Sequence, residues 1–450
     1  MNQCQSPDAR MPRTVNFLVA TTPSMPLWLA ALFTRRMLIC LFTGFASGMP
    51  LYLLLNLVPA WLRTEGVSLK AIGLFALIQF PYTWKFLWSP LLDRFALPIL
   101  SLGRRRGWIL LTQIALMIII ALLGRLSPAT DMGTIVWLAV FLAFLSATAD
   151  IALDAYRREL LADQELGLGN SVHVNAYRIA GLIPGSLSLI LADRLPWDLV
   201  FLITAVFMLP GMAMALMVKE PAIAGGAPKT LRQAVVEPFR EFIDRAGLRE
   251  ALLILAFIFL YKLGDSMCTA LATPFYLDMG YAKSDIGLVA KHAGLWPAVI
   301  GGLLGGLWMV NLGINRALWL FGVVQVVSIF GFAWLAGLGP QMNIDAPALA
   351  RLAIVIGFEA LGVGLGTVAF VAFIARTTHP LYTATQYALF SSLAAVPRTF
   401  VNATTGWLIE WMGWMSFFFL CVLLALPGMA LLVKVAPWRL NHSSSLLTEK

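Results

Sequence analysis

The chain has 450 residues, 60% of them hydrophobic and only 12% charged, with a mean hydropathy of +0.82. A soluble domain is about a quarter charged, so these figures exclude a soluble globular protein and describe one that crosses a membrane many times. The net charge of +9 collects in short loops on alternate sides of the apolar segments, which orients a polytopic protein and removes the need for a nucleic-acid partner.

Residues 1–35 carry scattered arginines, prolines (Pro12, Pro23 and Pro26 among them) and an apolar run from Leu27 to Phe33. That run is too short to span, and no small-residue cleavage pattern follows it. The stretch reads as a cytoplasmic tail. A spanning helix needs about 20 mostly apolar residues, and twelve segments fit: roughly 36–62, 69–92, 107–125, 132–155, 171–192, 197–218, 250–275, 284–310, 316–336, 351–374, 384–408 and 413–434. The charged run 219–249 is the one long connection and reads as a cytoplasmic linker. It divides the chain into an N-terminal half (36–218) and a C-terminal half (250–434), followed by a second tail (435–450). With both termini in the cytoplasm, most Lys and Arg fall on the cytoplasmic side, as the positive-inside rule requires.

The two halves share sequence. Ala71-Ile-Gly-Leu74 opens the second segment and Asp285-Ile-Gly-Leu288 the eighth; Leu209-Pro-Gly-Met-Ala213 lies in the sixth and Leu426-Pro-Gly-Met-Ala430 in the twelfth. The offsets, 214 and 217 residues, point to a parallel duplication with a binding site between halves near the midplane. The four cysteines (Cys4, Cys40, Cys268, Cys421) have no metal or redox spacing, and no cofactor is expected beyond a proton gradient.

Ionisable residues inside spanning helices are costly and face a cavity or a partner. Nine occur here: Lys85, Asp150, Asp154, Arg178, Lys262, Asp265, Lys291, Glu359 and Arg398. Basic groups outnumber acidic ones, which suits an anionic or multiply polar solute; mutual neutralisation is the alternative. Asp150 and Asp154 share a helix face, and two carboxylates so close cannot both ionise cheaply. Asp150 is therefore expected to bind the coupling proton, whereas Asp154 is as well explained by pairing with Arg157 or Arg158. Lys262 and Asp265, three apart, can pair with each other. Lys85, Arg178, Lys262, Asp265, Lys291, Glu359 and Arg398 are the candidate solute contacts.

Asp93-Arg94 and Gly103-Arg-Arg-Arg-Gly-Trp108 form a dense charged connection between the second and third segments. Thr383-Ala-Thr-Gln386, opening the eleventh, reads as a capping box in which Gln386 reaches back to the helix start. The first connection resembles the loop between helices 2 and 3 of the major facilitator superfamily. More narrowly, Phe45-Ala-Ser-Gly-Met-Pro50, Lys85-Phe-Leu-Trp-Ser-Pro90, Asp150-Ile-Ala-Leu-Asp154-Ala, Tyr177-Arg178, Tyr261-Lys-Leu-Gly-Asp265 and Thr385-Gln-Tyr-Ala-Leu389 leading to Arg398 resemble the AmpG-type muropeptide permeases. One departure is Ala149, where members often carry Gln.

The resemblance implies an all-α integral membrane protein of the major facilitator fold, monomeric, in a bacterial inner membrane. It implies proton-driven import of an anionic glycopeptide, N-acetylglucosaminyl-anhydro-N-acetylmuramic acid with or without its peptide. A siderophore or other anionic-solute permease is the alternative. In this superfamily the loop after helix 2 meets the start of helix 11 when the cytoplasmic side is closed, so Asp93, Arg94, Arg104, Arg105, Thr383 and Gln386 are expected to form a conformational latch. The enzyme reading, an intramembrane aspartyl protease, fails on its own motif: Lys262 stands where Gly-x-Gly-Asp requires glycine.

Overall fold

A computed structural model describes residues 32–67, 80–97, 102–221, 231–281, 289–341, 344–396 and 400–438. Each of the twelve expected spans has a described helical segment. These are α1 (Arg35–Leu62), α2 (80–94), α3 (Arg104–Leu123), α4 (Met132–Leu160), α5 (Asp163–Ala192), α6 (Trp197–Met217), α7 (Leu248–Asp278), α8 (291–312), α9 (314–337), α10 (Ala346–Thr377), α11 (383–396, resumed at 405–412) and α12 (414–435). Nine helical stretches among the described residues are long and apolar enough to cross a membrane, with α8 and α9 counted as one. Gly313 (φ 72) and Gly413 (φ 76) make the sharp turns between α8 and α9 and between α11 and α12, a backbone region open to glycine at no steric cost. The repeated tetrads at 71–74 and 285–288, both tails beyond 32–438, and Arg398 lie outside the described residues.

Several spans are broken where polar residues sit. α1 contains a π-helical turn at Leu53–Leu57 and α5 another at Ile183–Leu187. α2 tightens into a 3₁₀ turn at Lys85–Leu87, and α7 is interrupted between Leu260 and Leu263. Such irregular turns inside helices are a common accompaniment of functional sites. They put Lys85 and Lys262 each at a helix break, one in either bundle.

Large apolar side chains fill the N-terminal bundle (Trp61, Phe201, Ile120, Leu142) and the C-terminal one (Phe275, Phe332, Phe418). A third cluster joins Met37, Cys40 and Leu168 to Phe242, Val368 and Phe390, and so crosses from one bundle to the other. Exposed Trp137, Ile190, Leu202, Val323 and Leu423 are what a lipid-facing surface requires. The second repeat pair is structural: a Cβ on Gly211 of α6 would sit 2.8 Å from Ala46 of α1, and one on Gly428 of α12 2.7 Å from Tyr261 of α7. Small residues at equivalent places let equivalent helices touch.

Close approach also fixes α1 against α5. A Cβ on Gly44 would lie 2.1 Å from the carbonyl oxygen of His173, whereas one on Gly133 meets nothing within 4 Å. Overpacking of this kind costs about 1–3 kcal/mol. Gly44→Ala should lower the thermal midpoint of the detergent-solubilised protein by several degrees, and Gly133→Ala should leave it unchanged; fluorescence-monitored unfolding of the two variants checks this.

Candidate transport site and conformational latch

One face of α4 carries Asp150, Asp154 and Arg157, four and three residues apart, and α1, α2, α5 and α11 bring partners to it. Lys85 Nζ of α2 lies 2.5 Å from Asp150 and 3.7 Å from Asp154. Ser47 Oγ of α1 donates to Asp150 at 2.5 Å. Asp154 is paired with Arg157 at 2.8 Å, and His173 of α5, hydrogen-bonded to Thr43, stands 4.0 Å from it. Two cations and two carboxylates thus neutralise one another. Asp150 is the most accessible of the four, with 19% of its side chain exposed against 5% for Lys85 and 2% for Arg157. Asp150 lies ten residues, or about 15 Å, from the end of α4, which is mid-membrane.

This geometry sorts the expectations. Asp154 pairs with Arg157, one of the two partners foreseen. Lys85, expected to contact solute, is instead locked between two aspartates, because a buried ammonium without a counter-ion is far costlier than one with two. Lys262 and Asp265 do pair, at 2.7 Å. Arg178 of α5 donates to the carbonyl of Ala298 on α8 at 2.8 Å, across the bundle interface. Glu359 is buried in α10. The Lys291 side chain and all of Arg398 fall outside what is described.

At the Arg-rich end of the bundle the chain builds a second charged network. Asp93, fully buried, accepts from the backbone N–H groups of Ala384 (3.2 Å) and Thr385 (2.8 Å) and from the Thr385 hydroxyl (2.7 Å). A carboxylate from one bundle therefore caps the first turn of α11 in the other, where orphan N–H groups and the helix dipole both favour an anion. Arg105 of α3, also fully buried, bridges Asp93 at 2.7 Å and Glu159 of α4 at 2.6 Å. Thr383 donates to Glu159 at 2.7 Å.

Three details depart from expectation. Arg94 stays outside the network, its guanidinium 5.4 Å from the Phe95 ring centroid, while Arg105 takes the place foreseen for it. Arg104 belongs, but through the backbone carbonyl of Asp93 (2.8 Å) and Glu159 (3.4 Å). No capping box forms: Gln386 accepts from the His379 N–H and donates to Pro238 and Glu241 of the linker helix (Leu231–Ala246). Asp93 occupies the positions that a local cap would use. Sequence reading also passed over Glu159, although a carboxylate directly after Arg157-Arg158 at a helix end was visible, and Glu220, which accepts from the Arg105 and Arg106 N–H groups and caps α3.

The inter-bundle hydrogen bonds among described residues run from this end to mid-depth: Asp93 and Glu159 to α11, Arg157 to Tyr387 (2.8 Å), Ser171 to the Gly302 carbonyl (2.6 Å) and Arg178 to Ala298. The bundles are closed on each other at the Arg-rich end.

Comparison with known proteins agrees with this architecture. The Major Facilitator Superfamily profile matches residues 40–401. The chain is 50% identical over 416 residues to an uncharacterized protein of Haemophilus influenzae, covering 92% of this chain and 97% of that one. It is 41% identical over 400 residues to the anhydromuropeptide permease of Escherichia coli K12, covering 88% and 79%. Among solved structures, the proton:xylose symporter XylE superposes with a TM-score of 0.64 at 12% identity over 89% of this chain and 95% of that one. A bacterial ferroportin homologue superposes with 0.65 at 16% over 89% and 99%. At such identities the structures share the fold.

The latch contacts exist only while the Arg-rich end is closed, so losing one shifts the conformational equilibrium by its full energy. A hydrogen bond to a charged group contributes about 1.5–3 kcal/mol, at least about tenfold in population. Asn175 is buried against Gly302 at this contact. In an Asn175→Cys background, Asp93→Asn should raise the maleimide labelling rate about tenfold or more. An unchanged rate in folded protein means that Asp93 does not hold the bundles together.

Proposed function

Because the chain belongs to the major facilitator superfamily, in its AmpG-type branch of permeases, we propose that it imports anhydromuropeptides across the bacterial inner membrane in symport with protons. It is a transporter and not an enzyme. The observation that carries the substrate is the 41% identity, over 88% of this chain, to a protein named as an anhydromuropeptide permease. In this reading the Arg-rich end is cytoplasmic, both termini lie there, and the closed latch defines an outward-facing state.

The charge balance supplies the coupling. With Lys85 and Arg157 set against Asp150 and Asp154, the cluster is neutral while both carboxylates are ionised. A proton arriving at Asp150, the most accessible member, leaves one uncompensated positive charge in a low-dielectric site. A carboxylate of the incoming solute can balance it, so proton and anion bind better together than apart. Arg178 and Lys262 add cationic character between the bundles, and Arg398 and Lys291 are assigned the same role from sequence. Arg157 ties the cluster to the latch side: it pairs with Asp154 and donates to Tyr387 of α11, so loading the cluster reaches a contact that must break for inward opening.

A permease for a siderophore or another anion of similar size is the competing reading, and uptake decides between them. Cells lacking their own permease and expressing this chain should accumulate labelled anhydro-disaccharide peptide and not labelled ferric siderophore; the reverse preference refutes the proposal. Asp150→Asn should abolish accumulation against a gradient while leaving solute exchange measurable in proteoliposomes. A variant that still concentrates solute and still collapses with an uncoupler removes Asp150 from the coupling role.

A further inference from the structure

We propose that Glu359 is a second proton-carrying group of the transporter, neutral while the Arg-rich end is closed and ionised after the bundles rearrange. Nothing in the coupling scheme above uses it. It lies thirteen residues, or about 20 Å, into the 32-residue helix α10 and is only 7% exposed. Among the described side chains no Lys, Arg or His nitrogen lies within 4.0 Å of it, unlike Asp150, Asp154 and Asp265. Its Oε1 atom has no hydrogen-bond donor among the described groups. An ionised carboxylate in such a place costs far more than a protonated one, so the group takes a proton instead of carrying charge.

The neighbourhood reinforces this. Asp265, Cys268 and Tyr276 of α7 are within electrostatic range of Glu359, and the first adds negative charge. Among the described side chains the cations in electrostatic range are Lys262, committed to Asp265 at 2.7 Å, and Arg178, donating to Ala298 at 2.8 Å. From α9 come only the neutral Gln325 and Ser328, packed on Gly362 and Gly366 one and two turns along α10. Those glycines bring α9 and α8 close: a Cβ on Gly364 would lie 2.3 Å from the Ala298 carbonyl and one on Gly366 2.1 Å from Gln325. A cavity alongside, lined by Tyr261, Asp265, Gly322 and Gln325, presents two further buried polar atoms without hydrogen-bond partners among the described residues, Asp265 Oδ1 and Gln325 Nε2.

Release needs a cation to approach. The Arg178–Ala298 contact spans the two bundles, so opening the Arg-rich end changes the position of Arg178 relative to α10. In that state the Glu359 carboxyl gives its proton to water and its carboxylate is held by Arg178 or Lys262. No electron changes hands.

Infrared spectroscopy of the purified full-length protein in lipid, without solute, reads the proton directly, because the carbonyl stretch of a carboxylic acid is absent from a carboxylate. At neutral pH the wild type should show this band, Glu359→Gln should remove the amplitude of about one carboxylic acid, and Asp265→Asn should not. If Glu359→Gln does not accumulate, Glu359→Asp should shift the band. In proteoliposomes, Glu359→Gln should also lower the proton-to-solute ratio, read from the reversal potential, by about one. A wild-type band unaffected by either Glu359 variant, or an unchanged ratio in a transporting variant, overturns the proposal. The infrared arm contains no solute, so it stands or falls independently of the muropeptide reading.

Discussion

A buried carboxylate that belongs to one bundle and caps a helix of the other sets the state of this protein. Asp93 has no exposed surface, and removing it from water is costly unless every acceptor position is filled. Arg105 comes from the same bundle, and only the closed arrangement adds Ala384 and Thr385. Opening therefore takes three donors from the anion and uncaps a helix N-terminus at once, and water must solvate both. That makes the contact a two-state device and not a graded one.

The other intramembrane charges follow the same economy at different settings. The Lys85–Asp150–Asp154–Arg157 group balances internally, and in the proposed coupling a proton enters it together with an anion. Lys262 and Asp265 balance each other at the break in α7. Glu359 has no ion-pair partner among the described side chains, which is the basis of its proposed protonation. Arg157 is the physical link between levels, since it faces Asp154 on its own helix and Tyr387 across the interface. The proposed coupling then needs no long relay: the charged cluster and the closing contact share a side chain.

Much of this was legible in the sequence because membrane helices are constrained so severely. Span lengths and the Gly211 and Gly428 repeat followed from residue type and spacing, and the docking of Asp93 on α11 from the family resemblance. The failures came where a partner on another helix replaced a local one. Thr383 and Gln386 have the spacing of a capping box, yet Asp93 caps the first turn through Ala384 and Thr385, Thr383 donates to Glu159, and Gln386 binds the linker helix. Arg94 and Arg105 look interchangeable on paper. Only the start of α3 at Arg104 decides that Arg105 points into the bundle and Arg94 out of it. Lys85 likewise read as a solute contact because its two counter-ions lie on a different helix, 65 and 69 positions along the chain.

The latch account is tested most directly by the distance between the bundles at the Arg-rich end. Gln164 and Arg249 are exposed there on opposite sides of the interface, and spin labels at these positions report it by pulsed electron resonance in lipid. Replacing Glu159 by Gln, which weakens both the Arg105 bridge and the Thr383 contact, should move a predominantly short distance distribution toward a longer one. An unchanged short distribution in the Glu159→Gln protein would contradict the claim that this charged network holds the two bundles closed.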